Sequence, residues 1–172
     1  VAPQTTDGPT GQKETIWIDK YFGNYLGYYK DEKTPELTAV IDAKARWTVG
    51  KGFKADEITT MLLDSIKGFG KDTFNTILEN AMRTMLIGGN FYAEIIRDDL
   101  INLKPLDPAS IQHVVDKAGM LTRFEQVTKI GVPNKKIGLD DIFYLARNRV
   151  ADEIHGNGIT QKLKLIIDMK KE

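Results

Sequence analysis

Three pairs of adjacent acidic residues are the side chains that come nearest to a metal-dependent active site in this sequence. The pairs are Asp98-Asp99, Asp140-Asp141 and Asp152-Glu153. Carboxylates gathered around a divalent ion can activate water for hydrolysis, as they do in nucleases. Each pair lies where a turn is expected, however, and adjacent side chains on a strand point to opposite faces. We therefore interpret the pairs as turn residues, and an ion at Asp98-Asp99 or Asp140-Asp141 stays an open alternative.

Histidine and serine are too few for most catalytic arrangements. The chain has two histidines, His113 in a candidate strand and His155 before a Gly-Asn-Gly turn, which excludes a histidine-rich metal site. Its serines are Ser65 and Ser110, and neither lies in a nucleophile-elbow sequence. We interpret both histidines as solvated or locally hydrogen-bonded. The absence of cysteine excludes disulfides, thiolate metal sites and cysteine nucleophiles.

The segment Lys67-Gly68-Phe69-Gly70-Lys71 is superficially similar to a phosphate-binding loop. In such a loop Ser or Thr follows the Gly-Lys pair and holds magnesium, whereas Asp72 follows here. Ser65 stands where the first glycine is required, and a predicted helix precedes the segment in place of a strand. The segment therefore predicts a helix-to-helix turn. No motif for catalysis remains.

The composition is that of a globular domain without a basic excess. Hydrophobic residues make up 41% and charged residues 28% of the chain, and 24 Lys and Arg balance 24 Asp and Glu. Dedicated nucleic-acid binders usually carry excess positive charge, so this balance argues against one. It is compatible with a protein past which DNA slides without being gripped. The longest uncharged run, Thr84 to Ala93, is too short for a membrane span, which needs about 20 apolar residues.

Both ends of the chain suggest a piece of a longer polypeptide. It begins at Val1 and ends inside an apparent helix at Lys170-Lys171-Glu172. Residues 1–14 are polar and turn-rich and predict a flexible arm. Residues 15–155 are expected to form one domain, and residues 156–172 the start of a further helix.

An aromatic segment follows the predicted arm and leaves three interpretations open. Its rings are Trp17, Tyr21, Phe22, Tyr25, Tyr28 and Tyr29. The simplest interpretation is an edge segment that packs its rings onto the domain. A second is a docking strip for a neighbouring subunit, since aromatic residues are enriched at interfaces. A stacking platform for nucleic acid is least favoured because Lys and Arg are not interleaved with the rings.

Three helices are predicted next, from apolar residues that recur at intervals of three and four. The first opens at Thr34-Pro35-Glu36, with a threonine cap, and ends at Gly50. The second runs from about Asp56 to Lys67, and the third follows a cap at Asp72 and ends at Gly88-Gly89. The first helix shows one face made of Leu37, Val40, Ile41, Lys44, Ala45 and Thr48, with Lys44 at its edge. The predicted buried side of the second is Ile58, Met61, Leu62 and Ile66. The third keeps an unbroken helical period through Phe74, Ile77, Leu78, Ala81, Met82, Met85 and Leu86.

From Asn90 onward the apolar period changes to two, which predicts strands. A first strand is followed by a turn at Asp98-Asp99, and its partner must stop pairing between Pro105 and Pro108 because proline cannot donate to a ladder. Further strands are predicted at Ile111–Val115, Met120–Thr128 and Ile142–Ala146. A last helix is predicted after Gly156-Asn157-Gly158, with the apolar residues Ile159, Leu163, Ile166 and Ile167. Separate runs of helices and hairpin-length strands favour an α+β fold, with several helices on a small, mostly antiparallel sheet and the start of a long helix at the end.

Several short motifs in this order resemble the portal protein of tailed viruses of bacteria and archaea. The likeness extends from about Pro35 to the end of the chain. The motifs are Trp47–Phe53, Gly89–Arg97, Leu103–Pro108 with Ile111, Asp141–Leu145 and Gly156–Ile159. Two positions depart from the pattern. Tyr144 stands where histidine is usual, and Asn157-Gly158 stands where a small hydroxyl residue is common.

The resemblance implies a structural protein and not an enzyme, without cofactor, metal or catalytic residues. It implies the wing domain of a ring subunit, the ring being usually dodecameric and placed at one capsid vertex. Implied partners are other copies of the subunit, the terminase large subunit, the major capsid protein, head-completion or adaptor proteins and the double-stranded DNA that passes during packaging and ejection. No membrane is implied. The implied location is the virion, and the host cytoplasm during assembly.

The resemblance leaves two other classes of function to be weighed. One is a metal-dependent nuclease or hydrolase built on the acidic turn residues, which requires three converging carboxylates. The other is a non-viral interaction domain that uses the aromatic segment as its contact surface. For the fragment by itself we expect a monomer or a weak oligomer, since the stem and crown of the portal family lie outside this sequence.

Overall fold

The computed structural model describes residues 14–171, which form five helices and seven strands. The helices are α1 (Phe22–Tyr29), α2 (Pro35–Val49), α3 (Glu57–Asp64), α4 (Phe74–Gly88) and α5 (Ile159–Lys171). The strands are β1 (Glu14–Ile18), β2 (Asn90–Arg97), β3 (Ile101–Leu106), β4 (Ile111–Asp116), β5 (Leu121–Gln126), β6 (Lys135–Ile137) and β7 (Ile142–Ala146). Of the predicted arm, residues 1–13 lie outside the described residues and Glu14 begins β1. No helix among the described residues is long and apolar enough to cross a membrane.

The predicted α+β fold with antiparallel strands is confirmed, but the strands form two sheets and not one. A three-stranded sheet has the order β3-β2-β7, and a four-stranded sheet has the order β1-β4-β5-β6. Pairing of β2 with β3 ends at Leu106, as the prolines predict. A single 3₁₀ turn at Pro108–Ser110, capped by the Asp107 carboxylate, then carries the chain into the second sheet. Pro105 is tolerated because β3 is an edge strand.

Strand β2 is the centre of the molecule because both of its faces are buried. Phe91 and Ala93 pack against Ile77 and Ala81 of α4. Tyr92, on the opposite face, packs among the side chains of the four-stranded sheet. The result is three layers: helices, the three-stranded sheet and the four-stranded sheet. Each large apolar side chain buried between layers contributes about 1.5–3 kcal/mol.

Helix α4 begins one residue later than the sequence analysis predicts. Its cap is Thr73, whose hydroxyl accepts the Thr76 N–H at 3.3 Å, while the Thr76 hydroxyl accepts the Thr73 N–H at 2.9 Å. Asp72, predicted as the cap, accepts the Phe69 N–H in the preceding turn. The end of α4 is as predicted, since Gly89 adopts the left-handed conformation at φ 95°.

The predicted buried face of α3 is wrong. Ile58, Met61 and Leu62 are 73%, 70% and 57% exposed, and only Ile66, beyond the helix end, is buried. The eight-residue helix lies at the edge of the helical layer, and of its side chains Leu63 packs against the core. On the face predicted for α2, Leu37, Ile41 and Ala45 are buried. Val40, Lys44 and Thr48 of the same face are exposed.

The aromatic segment forms part of β1 and all of α1, which supports the interpretation as an edge segment. Phe22 is buried with Leu37, Ile41 and Leu86 in a second core on the far side of the helices. The rings of Tyr25, Tyr28 and Tyr29 pack against the same core. Ile167 of α5 completes it, whereas Ile166 and Leu163 of the same helix are exposed.

Candidate functional site

The acidic pairs lie in turns, as predicted, and do not converge on a metal site. Asp98 and Asp99 are exposed in the bend between β2 and β3, and Asp140-Asp141 belongs to a 3₁₀ turn before β7. The Asp141 carboxylate forms an ion pair with Arg97. Within residues 14–171 no three His, Cys, Asp or Glu side chains are grouped so that they could hold a metal ion.

The serines and the Gly-Lys segment make local contacts only. The Ser65 hydroxyl donates to Leu62 O and the Ser110 hydroxyl to Asp107 O. The segment after α3 is a helix-to-helix turn, as predicted. Asn102 of β3 clamps it, because its Oδ1 accepts the Gly68 N–H at 2.9 Å and its Nδ2 donates to Gly68 O at 2.9 Å.

The two histidines meet in a polar cluster between the two sheets, where His113 is hydrogen-bonded and not solvated and the ring nitrogens of His155 are buried. His113 of β4 is 2% exposed, and its Nε2 lies 2.7 Å from the Tyr92 hydroxyl, a hydrogen bond in either imidazole tautomer. The ring of His155 lies 4.9 Å from that of His113, centroid to centroid. Both ring nitrogens of His155 are buried and have no hydrogen-bond partner among the described residues. Tyr144 stacks on Tyr92 at 5.0 Å and completes the cluster.

Burial sets the protonation states in this cluster. Burial, with a smaller contribution from nearby Arg149, lowers the pKa of His155 to about 4. Burial, with His155 and Arg149 nearby, lowers the pKa of His113 well below its ordinary range. Burial raises the pKa of Tyr144 to about 12. Both histidines are therefore neutral at neutral pH, and the tyrosines keep their protons.

Asn90 ties this cluster to the chain that leads into α5. Its Oδ1 accepts the Gly156 N–H at 2.8 Å and the Tyr144 hydroxyl at 3.3 Å, and its Nδ2 donates to Asp19 at 3.3 Å. Gly89 and Gly156 are in backbone contact, so that a Cβ on either would overlap the other's carbonyl oxygen. The Gly-Asn and Gly-Asn-Gly motifs noted in the sequence are thus parts of one junction.

Two apolar surfaces face outward on the helical layer. One is the α3 face, which we define as Ile58, Met61, Leu62 and the neighbouring Phe69, 73% exposed. The other is a depression of about 270 Å³ between α2 and α4, lined by Val49, Phe53, Leu78, Met82 and Met85. Apart from Thr48, its lining side chains are apolar.

Sequence reasoning found the junction motifs but missed the histidine cluster and the α3 face. The cluster brings together residues from β2, β4, β7 and the segment after β7, and sequence alternation does not reveal which strands of different sheets face each other. For α3 the helical period was correct, but a helical period does not show whether the apolar side packs against the core of its own chain or stays exposed.

Comparisons with known proteins find the fold in solved structures only. No family model matches the sequence, and no curated protein matches it. A chain in the virion of a native gene transfer agent (GTA) particle has a TM-score of 0.74 and 14% identity, over 93% of this chain and 44% of that one. A chain in the neck of an empty GTA particle, computed with C6 symmetry, has a TM-score of 0.74 and 16% identity, over 92% of this chain and 45% of that one. A chain in the neck of a native GTA particle, computed with C12 symmetry, has a TM-score of 0.71 and 14% identity, over 88% of this chain and 42% of that one.

At these identities the comparisons show a shared fold. The chain spans less than half the length of the matched chains. The likeness covers nearly all of this chain, and therefore includes both sheets and the helical layer.

Proposed function

We propose that this chain is part of a portal-ring subunit, a structural protein of a tailed virus or of a virus-like particle such as a GTA. The observation that carries the proposal is the fold match to particle and neck chains over 92–93% of the sequence. The ring would sit at one capsid vertex and pass double-stranded DNA during packaging and ejection. The motif order from Pro35 onward supports the same protein family independently of the fold.

The arrangement suits a wing domain that is joined rigidly to a stem-leading helix. The Gly89–Gly156 contact and the Asn90 hydrogen bonds fix the start of α5 against β2. Force on α5 would thus reach the central strand through the Asn90 side chain and the close Gly89–Gly156 approach. Residues 15–155 would form the wing and residues 156–172 the beginning of the stem.

Passage of DNA needs a surface that does not hold the duplex. The formal net charge is zero, so the chain provides no overall excess of cations to bind phosphates. The acidic turn residues act as turn formers and ion-pair partners in this proposal. Terminase, the major capsid protein and head-completion proteins would be the partners of the assembled ring.

We assign contact between neighbouring subunits to the α3 face. Three apolar side chains on one short helix are exposed, and such patches mark protein interaction sites more often than they serve a monomer. Neck chains of the same fold were solved with C12 and C6 symmetry. A neighbouring copy is therefore the partner that the comparisons favour for this surface.

The proposal is tested by placing a charge on the α3 face in the particle that encodes this chain. We expect Met61→Asp to reduce the yield of DNA-filled particles at least about tenfold, because an unpaired carboxylate would be buried at the subunit contact. The isolated domain should keep its melting temperature within about 2 °C, since Met61 is exposed. Particle counts by electron microscopy and thermal unfolding give the two readouts.

The matched control is Met120→Asp. Met120 is 66% exposed, close to the 70% of Met61, but lies in the β4–β5 turn of the other outer layer. Met120→Asp should leave the yield of DNA-filled particles unchanged. Equal yields from Met61→Asp and the unmodified particle would contradict the assignment of α3, and a chain absent from purified particles would favour the non-viral interaction domain.

A further inference from the structure

The segment that joins β7 to α5, residues 147–158, is held to the domain by a few specific contacts; we call it the connector. The Arg147 N–H donates to Gly89 O at 2.8 Å, and the Gly156 N–H donates to Asn90 at 2.8 Å. Near its middle, the Tyr144 hydroxyl donates to Ile154 O at 3.0 Å. Two of its residues, Asn148 and Ala151, have φ near 50°, so the path is held by these contacts and not by regular structure.

His155 lies between two of these anchor points, Ile154 O and Gly156 N, and points its ring into the buried cluster. His113, which it faces, is held by the Tyr92 hydroxyl. His155 has no such partner among residues 14–171. The site can accommodate a neutral imidazole, but an imidazolium there would be a buried charge without a counter-ion.

The charged and titratable groups around His155 do not compensate its charge. His113 from β4 faces it, with Tyr92 from β2 and Tyr144 from β7 stacked behind. From the connector itself, Arg149 is a cation, and its Nε donates to Glu153 O. Glu153 accepts from Val150 N and from Asn157, so its carboxylate is engaged within the connector.

Asp19, from the turn before α1, is a further acidic group that bonds to the cluster through Asn90, and its titration acts in the opposite direction. Burial raises its pKa, against the lowering effect of its hydrogen bonds from Tyr21 and Asn90. A raised pKa means that protonation of Asp19 as pH falls favours the folded domain. Protonation of His155 destabilises the closed arrangement, since the proton binds the exposed ring more tightly than the buried one.

We propose that the connector is an acid-sensitive latch, in which protonation of His155 expels its ring, releases residues 154–158 from β2 and frees the start of α5. The latch is closed at neutral pH and opens as pH falls below the ordinary pKa of histidine. His113 stays in place because it lies within β4, which pairs with β1 and β5. The inference does not depend on the proposed ring, since it concerns contacts within one chain.

Hydrogen exchange with mass spectrometry tests the latch on the whole chain, with rates divided by the intrinsic rate at each pH. A histidine whose pKa is 6.5 when exposed and about 4 when buried predicts a roughly 50-fold loss of protection between about pH 7 and about pH 4.5. This loss is expected in peptides of the connector. Peptides of β2 and β4 should keep their protection.

Two variants make the test specific to His155. His155→Phe should keep the connector protected at the lower pH because the ring cannot be protonated. His155→Gln serves the same purpose if the larger apolar ring does not fit. The proposal is overturned if the unmodified connector stays protected, if both variants open as the unmodified chain does, or if β2 and β4 lose protection together with the connector.

Discussion

At the scale of single residues, Asn90 carries the largest share of the buried polar contacts. It is fully buried and bonds to side chains or backbone from three other parts of the chain, at Asp19, Tyr144 and Gly156. Replacing it would leave the Gly156 N–H and the Asp19 carboxylate without this partner. A buried group left unpaired costs about 1–3 kcal/mol.

We expect Asn90→Ala to lower the free energy of unfolding by about 2–4 kcal/mol, since it combines lost hydrogen bonds with a small cavity. Urea denaturation at neutral pH measures the change. Asn134→Ala is the control. The Asn134 amide also bonds to two side chains, but it is half-buried and lies at the edge of the four-stranded sheet. Asn134→Ala should lower the free energy of unfolding by under about 1 kcal/mol. Equal decreases for the two variants would contradict the larger stabilising role assigned to Asn90.

At the scale of elements, the sequence predicts best where a glycine or proline controls the backbone. The ends of α2 and α4 and the end of the β2–β3 pairing were predicted for this reason. Strand β6 was missed because its three residues include Lys135 and Lys136, and no alternation can be seen in so short a run. The cap of α4 was misplaced because aspartate and threonine are both good caps, and only the hydrogen bonds distinguish them.

Alanine substitutions at two glycines in different elements are predicted to change the stability of the domain in opposite directions. A Cβ on Gly156 would meet the Gly89 carbonyl and lie 2.6 Å from Arg147 N, both backbone atoms. Gly156→Ala should therefore destabilise the domain by at least about 2 kcal/mol. Gly27 lies inside α1, and its Cβ would have nothing within 4 Å. Gly27→Ala should stabilise the domain by about 0.5–1 kcal/mol. Thermal unfolding of both variants measures these changes. An unchanged melting temperature for Gly156→Ala would refute the close approach of Gly89 and Gly156.

At the scale of the whole molecule, the layers could not be predicted from local patterns. The meeting of Tyr92 with His113 joins strands of two sheets, and the approach of His155 depends on the path of the connector. Such long-range contacts follow from the assembled fold. The outward apolar groups of α3 and α5, among them Met61, Leu165 and Met169, are left exposed by the fold of the single chain.

The central claim is that this domain belongs to a ring at the vertex of a particle. Cryo-electron microscopy of particles purified from the source that encodes the chain tests it most directly. We predict a twelvefold ring whose outer body fits residues 14–171, with α3 against the neighbouring subunit. A neck without density for this fold, or with the fold present as an isolated copy whose α3 face contacts no other subunit, would contradict the account.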